Sequence, residues 1–328
     1  TKHGVRYAIF DGVQPDPTIE QIESGLKAYH RERCQAILAV GGGSSIDAAK
    51  VIAARVTNDK PVSRMEGFFR IFSAIAPLYA VPTTAGTGSE VTIAAVVSDP
   101  KNKKKMSVID PKLMPHLAAL DGALMTGLPA PITAATGMDA LTHAIEAYIS
   151  TNALPETDSY AMAATRLIFE NLPRAVRKGS DLEARQRMAM ASHYAALAFT
   201  RAGVGYVHAI SHQFGARYHT PHGLGNAIVL PYVLEYSKRS CSRRLAQLGD
   251  AAGLRQKGDR APKLADRFIE RIRERNDEFG IPDTLEALAA EDIPEIAEAA
   301  LKEAHYTYAV PRYMDQRTCE KLVRKMVA

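Results

Sequence analysis

Asp139 and His143 stand four residues apart in a stretch with helical periodicity, so both side chains project from one helix face. Farther along, His208 and His212 repeat that spacing, and His222 follows Pro221, after which a helix can begin and aim its first side chains inward. Four of the ten histidines, His208, His212, His219 and His222, fall between positions 208 and 222. Imidazoles gathered with a carboxylate suit a borderline divalent ion such as Fe2+ or Zn2+, and suit Mg2+ or Ca2+ poorly. A lone Asp/His pair at this spacing is ordinarily a helix-surface contact. The second histidine cluster, with its Pro221-His222-Gly223 turn, gives weight to a metal. Spacing by itself leaves both readings standing.

Two loops carry a different chemistry. Gly41-Gly42-Gly43-Ser44 lies between a strand signal and a helix signal. Glycines there let backbone N–H groups approach a pyrophosphate, and the helix N-terminus adds partial positive charge. The run is not G-x-G-x-x-G, so that dinucleotide fingerprint is not met. Pro82-Thr83-Thr84-Ala85-Gly86-Thr87-Gly88-Ser89-Glu90-Val91-Thr92 concentrates small hydroxyls just past a strand, where they can bond phosphate and ribose; a merely turn-rich loop is the alternative. Asp11 and Asp16, beside Gly12 and Pro17, read as turn residues in preference to a ribose-reading acid.

These residues need elements to hold them. Up to about Pro131 strand and helix signals alternate: β-prone 5–10, helical 18–30 with Thr18 as N-cap, strand 35–40, helix 45–56, strand 78–81. Segments 91–97 and 105–109 read as a β-hairpin. This pattern predicts an α/β domain, 1–131, with a parallel sheet and helices on its faces. The run Gly127-Leu128-Pro129-Ala130-Pro131 should interrupt any regular element and mark the boundary. Beyond it, periodic Ala-, Leu- and Glu-rich stretches (134–149, 156–172, 182–200, 263–279) predict an all-α domain over 132–328.

Composition excludes several classes. With 46% hydrophobic and 23% charged residues and no long uncharged apolar run, the chain reads as globular, not membrane-spanning. Cys34, Cys241 and Cys319 lie far apart, which argues against a disulfide framework and fits a reducing, cytoplasmic setting. The net charge of +5 is spread along the chain, and Lys103-Lys104-Lys105 is too short for a nucleic-acid patch. A solvated turn is the expectation for Lys103 and Lys104. The first residue is Thr1, not Met, so residues preceding it are expected.

Gly137-Met138-Asp139-Ala140-Leu141-Thr142-His143-Ala144-Ile145-Glu146-Ala147-Tyr148 resembles the signature of the iron-containing (group III) alcohol dehydrogenases. So do Gly205-Tyr206-Val207-His208-Ala209-Ile210-Ser211-His212 and Thr220-Pro221-His222-Gly223-Leu224-Gly225-Asn226-Ala227, and the resemblance runs from about Phe10 to Tyr236. It implies a dehydroquinate synthase-like plan, an α/β dinucleotide-binding domain followed by an all-α domain. It implies Asp139, His143, His208 and His222 as ligands of one Fe2+ or Zn2+. It implies His212 beside the nicotinamide as a proton relay, and assigns His219 no role. Cofactor contacts carried over the same way are Gly42, Gly43, Ser44, Thr83, Thr84, Thr87, Val96, Lys105 and Leu124, with an ordinary core leucine as the other reading of Leu124. The family implies NAD ahead of NADP, and a homodimer.

The expected activity is hydride transfer between a small alcohol and NAD, giving an aldehyde or ketone, with the metal as Lewis acid. The alternatives are a dehydroquinate synthase-like lyase, for which no cluster of basic residues stands beside the histidine motifs, and a metallohydrolase, which leaves the glycine and threonine loops without a purpose. A non-catalytic binding protein is a third. Two departures stand out: strand and helix units that the family places before Val5, and Val310 where family members tend to have Asn before Pro-Arg.

Overall fold

The computed structural model describes residues 4–102 and 104–328. Lys103, expected in a solvated turn, lies outside the described residues. The chain forms two compact units: residues up to Thr84 with Gly88–Asp121, and Ala85–Thr87 with Gly122–Ala328.

The first unit is α/β, as expected. Helix α1 (Ile19–Arg31) starts where Thr18 caps it, its hydroxyl accepting from the Gln21 backbone at 3.3 Å while the Gln21 side chain accepts from the Thr18 N–H at 3.1 Å. Strand β1 (Ile37–Gly41) runs straight into α2 (Gly43–Thr57). After β2 (Gly67–Phe68) and β3 (Leu78–Pro82) comes an antiparallel pair, β4 (Ala94–Asp99) and β5 (Lys104–Ile109), the expected hairpin; β6 (Leu117–Ala118) ends the unit. One sheet is parallel with order β1-β3-β6, and Ala39 pairs with Ala80; the other has order β2-β5-β4. Ile22, Ile46, Val51, Leu78, Val97 and Val108 form the core.

Two expectations need correction here. Residues 5–10 form no strand, because β propensity alone makes none without a ladder to join. Lys104 opens β5 opposite Asp99 and pairs with Glu66 at 2.7 Å, so it belongs to a strand and not to a turn.

The second unit is helical: α3 (Ala130–Ile149), α4 (Pro155–Arg177), α5 (Leu182–Ala202), α6 (Tyr206–Tyr218), α7 (His222–Ala251, broken at Cys241), α8 (Ala261–Glu278), α9 (Ile293–Thr307) and α10 (Gln316–Val323). Pro131 does not interrupt α3, since a first-turn proline lacks only an N–H that the helix leaves unbonded anyway. From Gly137 to Ile149 every residue of α3 is buried. Leu141, Ile145, Ile168, Leu172, Ile210, Phe214 and Leu230 fill the space around it. A helix buried on all sides ordinarily carries apolar residues only. Asp139, His143 and Glu146 break that rule, which marks them for chemistry.

Candidate metal centre

Three helices bring four side chains to one point. Asp139 and His143 come from α3, His208 from α6, and His222 from the first turn of α7. One donor atom from each lies within 4.8 Å of all the others. The Asp139 Oδ1 atom faces the Nε2 atoms of His143, His208 and His222 at 3.9, 3.8 and 3.5 Å. Donors about 2.1 Å from one ion in tetrahedral array stand roughly 3.4 Å apart, so these spacings fit a single cation after a small contraction.

The neighbourhood favours the neutral form of His143 and His208. Burial drives His208 well below its ordinary pKa, and the imidazoles of His143, His222 and His212 add to the effect. Burial also lowers His143, against the pull of the Asp139 carboxylate. Neutral imidazoles offer a lone pair, and metal ligation needs one. The orientation of His208 is fixed by Glu146, whose Oε2 sits 2.6 Å from Nδ1, so the proton resides on Nδ1 and Nε2 faces the cluster. Glu146 itself is raised to about 7 by burial, against backbone N–H groups of Gly205, Val207 and His208 that pull it down. Those groups are the otherwise unbonded donors at the start of α6, so one carboxylate both caps a helix and aims a histidine. Gly205 makes room: a Cβ there would lie 2.8 Å from Glu146 Oε1.

Asn226, one turn after His222, gives a second sign of what the cluster wants. Its Nδ2 donates to Asp139 Oδ1 at 2.7 Å and lies 3.1 and 3.2 Å from Nε2 of His208 and His222. An electropositive N–H group thus sits among the donors, while its Oδ1 is buried without a partner. The donor set, the neutral imidazoles of His143 and His208 and this orphaned oxygen fit a divalent cation.

His212 is next to the cluster. Its ring stacks on that of His222 with centroids 5.4 Å apart, and meets His208 edge-on at 5.9 Å. His219 is exposed and ends α6 in a left-handed conformation (φ 56°), so it is a surface residue.

In the first unit the two loops meet. Gly42 is the N-cap of α2, and a Cβ on it would touch the Thr84 side chain at 3.4 Å; Thr83 N–H donates to Gly41 O at 2.9 Å. Gly43 and Ser44 form the first turn of α2. The Ser44 hydroxyl accepts from Asp16 N–H at 3.3 Å, and Asp16 pairs with Lys105 at 2.8 Å. Asp16 is left-handed (φ 56°), the turn residue expected, yet it joins Ser44 to Lys105. The Val96 N–H donates to Asp47 Oδ2 at 2.9 Å. Beneath them Lys50 is fully buried, its ammonium donating to Thr92 and Ala94 at 2.8 to 2.9 Å. Thr87 and Leu124 belong to the second unit. Leu124 is 47% exposed, so the core-leucine reading fails. Glu146 and Asn226 were given no role from sequence; their spacing from His143 (three residues) and His222 (four) is the signal that points to them.

Comparison with known proteins agrees with this geometry. Residues 1–122 match the family described as iron-containing alcohol dehydrogenase, and residues 133–327 its C-terminal part, the Fe-containing alcohol dehydrogenase family, C-terminal. The chain is 40% identical to 1,3-propanediol dehydrogenase of Klebsiella pneumoniae over 98% of its own length and 84% of the relative's. It is 39% identical to the NAD-dependent methanol dehydrogenase of Bacillus methanolicus, with the same coverage. A crystal structure of 1,3-propanediol oxidoreductase superimposes with a TM-score of 0.96 at 40% identity, over 99% of this chain and 85% of that one.

Proposed function

The chain belongs to the iron-containing alcohol dehydrogenase family, and we propose that it interconverts small alcohols and their aldehydes or ketones with NAD as hydride carrier. The observation that carries this reading is the buried carboxylate gathered with three imidazoles in a chain 40% identical to a propanediol dehydrogenase. Asp139, His143, His208 and His222 hold Fe2+, with Zn2+ as the alternative ion. A cation so placed supplies Lewis acidity toward an alcohol oxygen.

The protein's own groups do the rest. Asp139 supplies the one carboxylate among the four donors, and the Glu146 contact keeps the His208 Nε2 lone pair turned toward the cluster. His212, beside His222, accepts the hydroxyl proton and hands it to solvent. Gly42, Gly43 and Ser44 at the start of α2 present backbone N–H groups to the pyrophosphate, and Thr83 and Thr84 line the same wall. Thr87, Val96, Lys105 and Leu124 complete the cofactor contacts, Lys105 at the ribose hydroxyls. The glycine-rich loop belongs to the α/β unit that ends at Asp121, and the metal ligands belong to the helical unit that runs on from Gly122. The same reading extends to a homodimer in the cytoplasm, a setting that suits three free cysteines. The relatives' dehydrogenase names lend nothing to the lyase or hydrolase alternatives.

The test is NADH absorbance with a panel of alcohols and aldehydes, on protein whose metal content is measured. Alcohol-dependent NAD+ reduction that disappears on chelation and returns with Fe2+ or Zn2+ is the expected result. Metal-replete protein that turns over no member of the panel overturns the reading.

A further inference from the structure

The end of α9 carries a hydrogen-bonded set that the metal cluster does not need. Glu303 lies just before the last turn of α9, and Tyr308 is the C-cap of that helix. Glu303 Oε1 stands 2.7 Å from Nδ1 of His212 and accepts from the Tyr308 hydroxyl at 2.6 Å. Its Oε2 accepts from Gln213 Nε2 at 3.3 Å. Burial raises the Tyr308 phenol well above its ordinary pKa, with Glu303 adding to the shift, so the hydroxyl remains a donor. Three donors thus converge on one carboxylate. A surface glutamate with no task is rarely held from three sides, since each contact costs side-chain freedom.

The consequence falls on His212. A carboxylate at Nδ1 places the ring proton there and leaves a lone pair on Nε2, at the other edge of a ring stacked on His222. We propose that Glu303 is a positioning residue that fixes the tautomer and ring plane of His212, with Tyr308 and Gln213 holding the carboxylate in place. This rests on the alcohol dehydrogenase reading above. In alcohol oxidation the carbinol C–H bond breaks and its electron pair leaves as hydride to the nicotinamide of NAD+. The O–H bond breaks, its proton passes to His212 Nε2 and on to water, and the carbonyl and NADH result. An imidazole with its proton on Nε2 has no lone pair to offer at that step, so the Glu303 contact decides whether His212 can serve.

The experiment uses the Zn2+-loaded holoenzyme with an alcohol it turns over. Glu303→Leu, which cannot accept a hydrogen bond, should lower kcat roughly ten- to hundred-fold, with KM for alcohol and NAD+ moving less than about threefold. Glu303→Gln, whose carbonyl still accepts, should recover most of that loss. Bound zinc and melting temperature should match the parent in both. In a His212→Asn background, Glu303→Leu should add less than about twofold, because both changes act through one ring. Nitrogen-15 NMR of His212 should report Nδ1–H in the parent and a tautomer mixture in Glu303→Leu, independently of turnover. An unchanged kcat, full additivity with His212→Asn, or an Nε2–H tautomer in the parent overturns the proposal. Should His212→Asn cost nothing, the proposal falls while the dehydrogenase reading stands. A parent enzyme without alcohol turnover sinks that reading instead, and the NMR result still decides the Glu303 contact.

Discussion

The carboxylate of Glu146 and the imidazole of His208 meet at 2.6 Å inside the helical unit, both with side chains no more than 3% exposed. The contact spans 62 residues of sequence and ties α3 to α6. Because the other carboxylate oxygen takes the Val207 N–H at 2.7 Å, both oxygens of Glu146 are committed as acceptors.

Glu146→Gln therefore forces an amide NH2 against one of these two donors. If it faces His208, the ring proton moves to Nε2 and the lone pair leaves the cluster. Metal affinity should fall about 10- to 100-fold, the range usual for such supporting contacts. Competition with a chromophoric chelator measures it, and an unchanged affinity would show that His208 needs no support.

His222→Ala should remove bound metal and NADH production together while leaving the fold intact, since the His222 side chain is 41% exposed and little packing is lost. Metal analysis beside far-ultraviolet circular dichroism separates the two effects. A variant with full metal content and turnover contradicts the ligand set.

Lys105→Ala should weaken NAD+ binding several-fold, as the lysine is taken to meet the ribose hydroxyls. Cofactor titration by fluorescence reads it. If affinity stays the same, Lys105 serves only its ion pair with Asp16.

Lys50 gives a pH prediction. Burial lowers its pKa from 10.5 to about 8, against the Asp47 and Glu90 charges that pull it back up. Between pH 8 and 10.5 the unfolded chain holds a proton there that the folded chain has released, so Lys50 makes stability rise with pH in that window. The gain approaches about 3 kcal/mol at the top of the window. Denaturant unfolding of the parent and of Lys50→Met at pH 8 and pH 10 tests it. The parent should gain on the variant as pH rises, and parallel curves would refute the shift.

Much of this was legible in the sequence because it is local. Helical spacing put Asp139 and His143 on one face, the Thr18 cap marked α1, and the change from alternating to periodic patterns marked the passage to helices. What escaped is what local spacing cannot carry. Which side chain faces which across the fold depends on packing, and Asn226 with Asp139 are 87 residues apart, His212 with Glu303 91. Residues 5–10 failed for a related reason, since a strand exists only with a neighbour, and propensity does not name one. Pro131 misled because a proline's effect depends on its place in the helix.

The four proposed ligand side chains differ in one respect: Asp139, His143 and His208 are 2 to 6% exposed, whereas His222 is 41% exposed. An ion held by these four side chains would be reached from the His222 side, past the Asn226 amide that donates to Asp139 Oδ1. Two variants of equal affinity would then differ in how fast a scavenger empties them wherever one of them changes the exposure of His222.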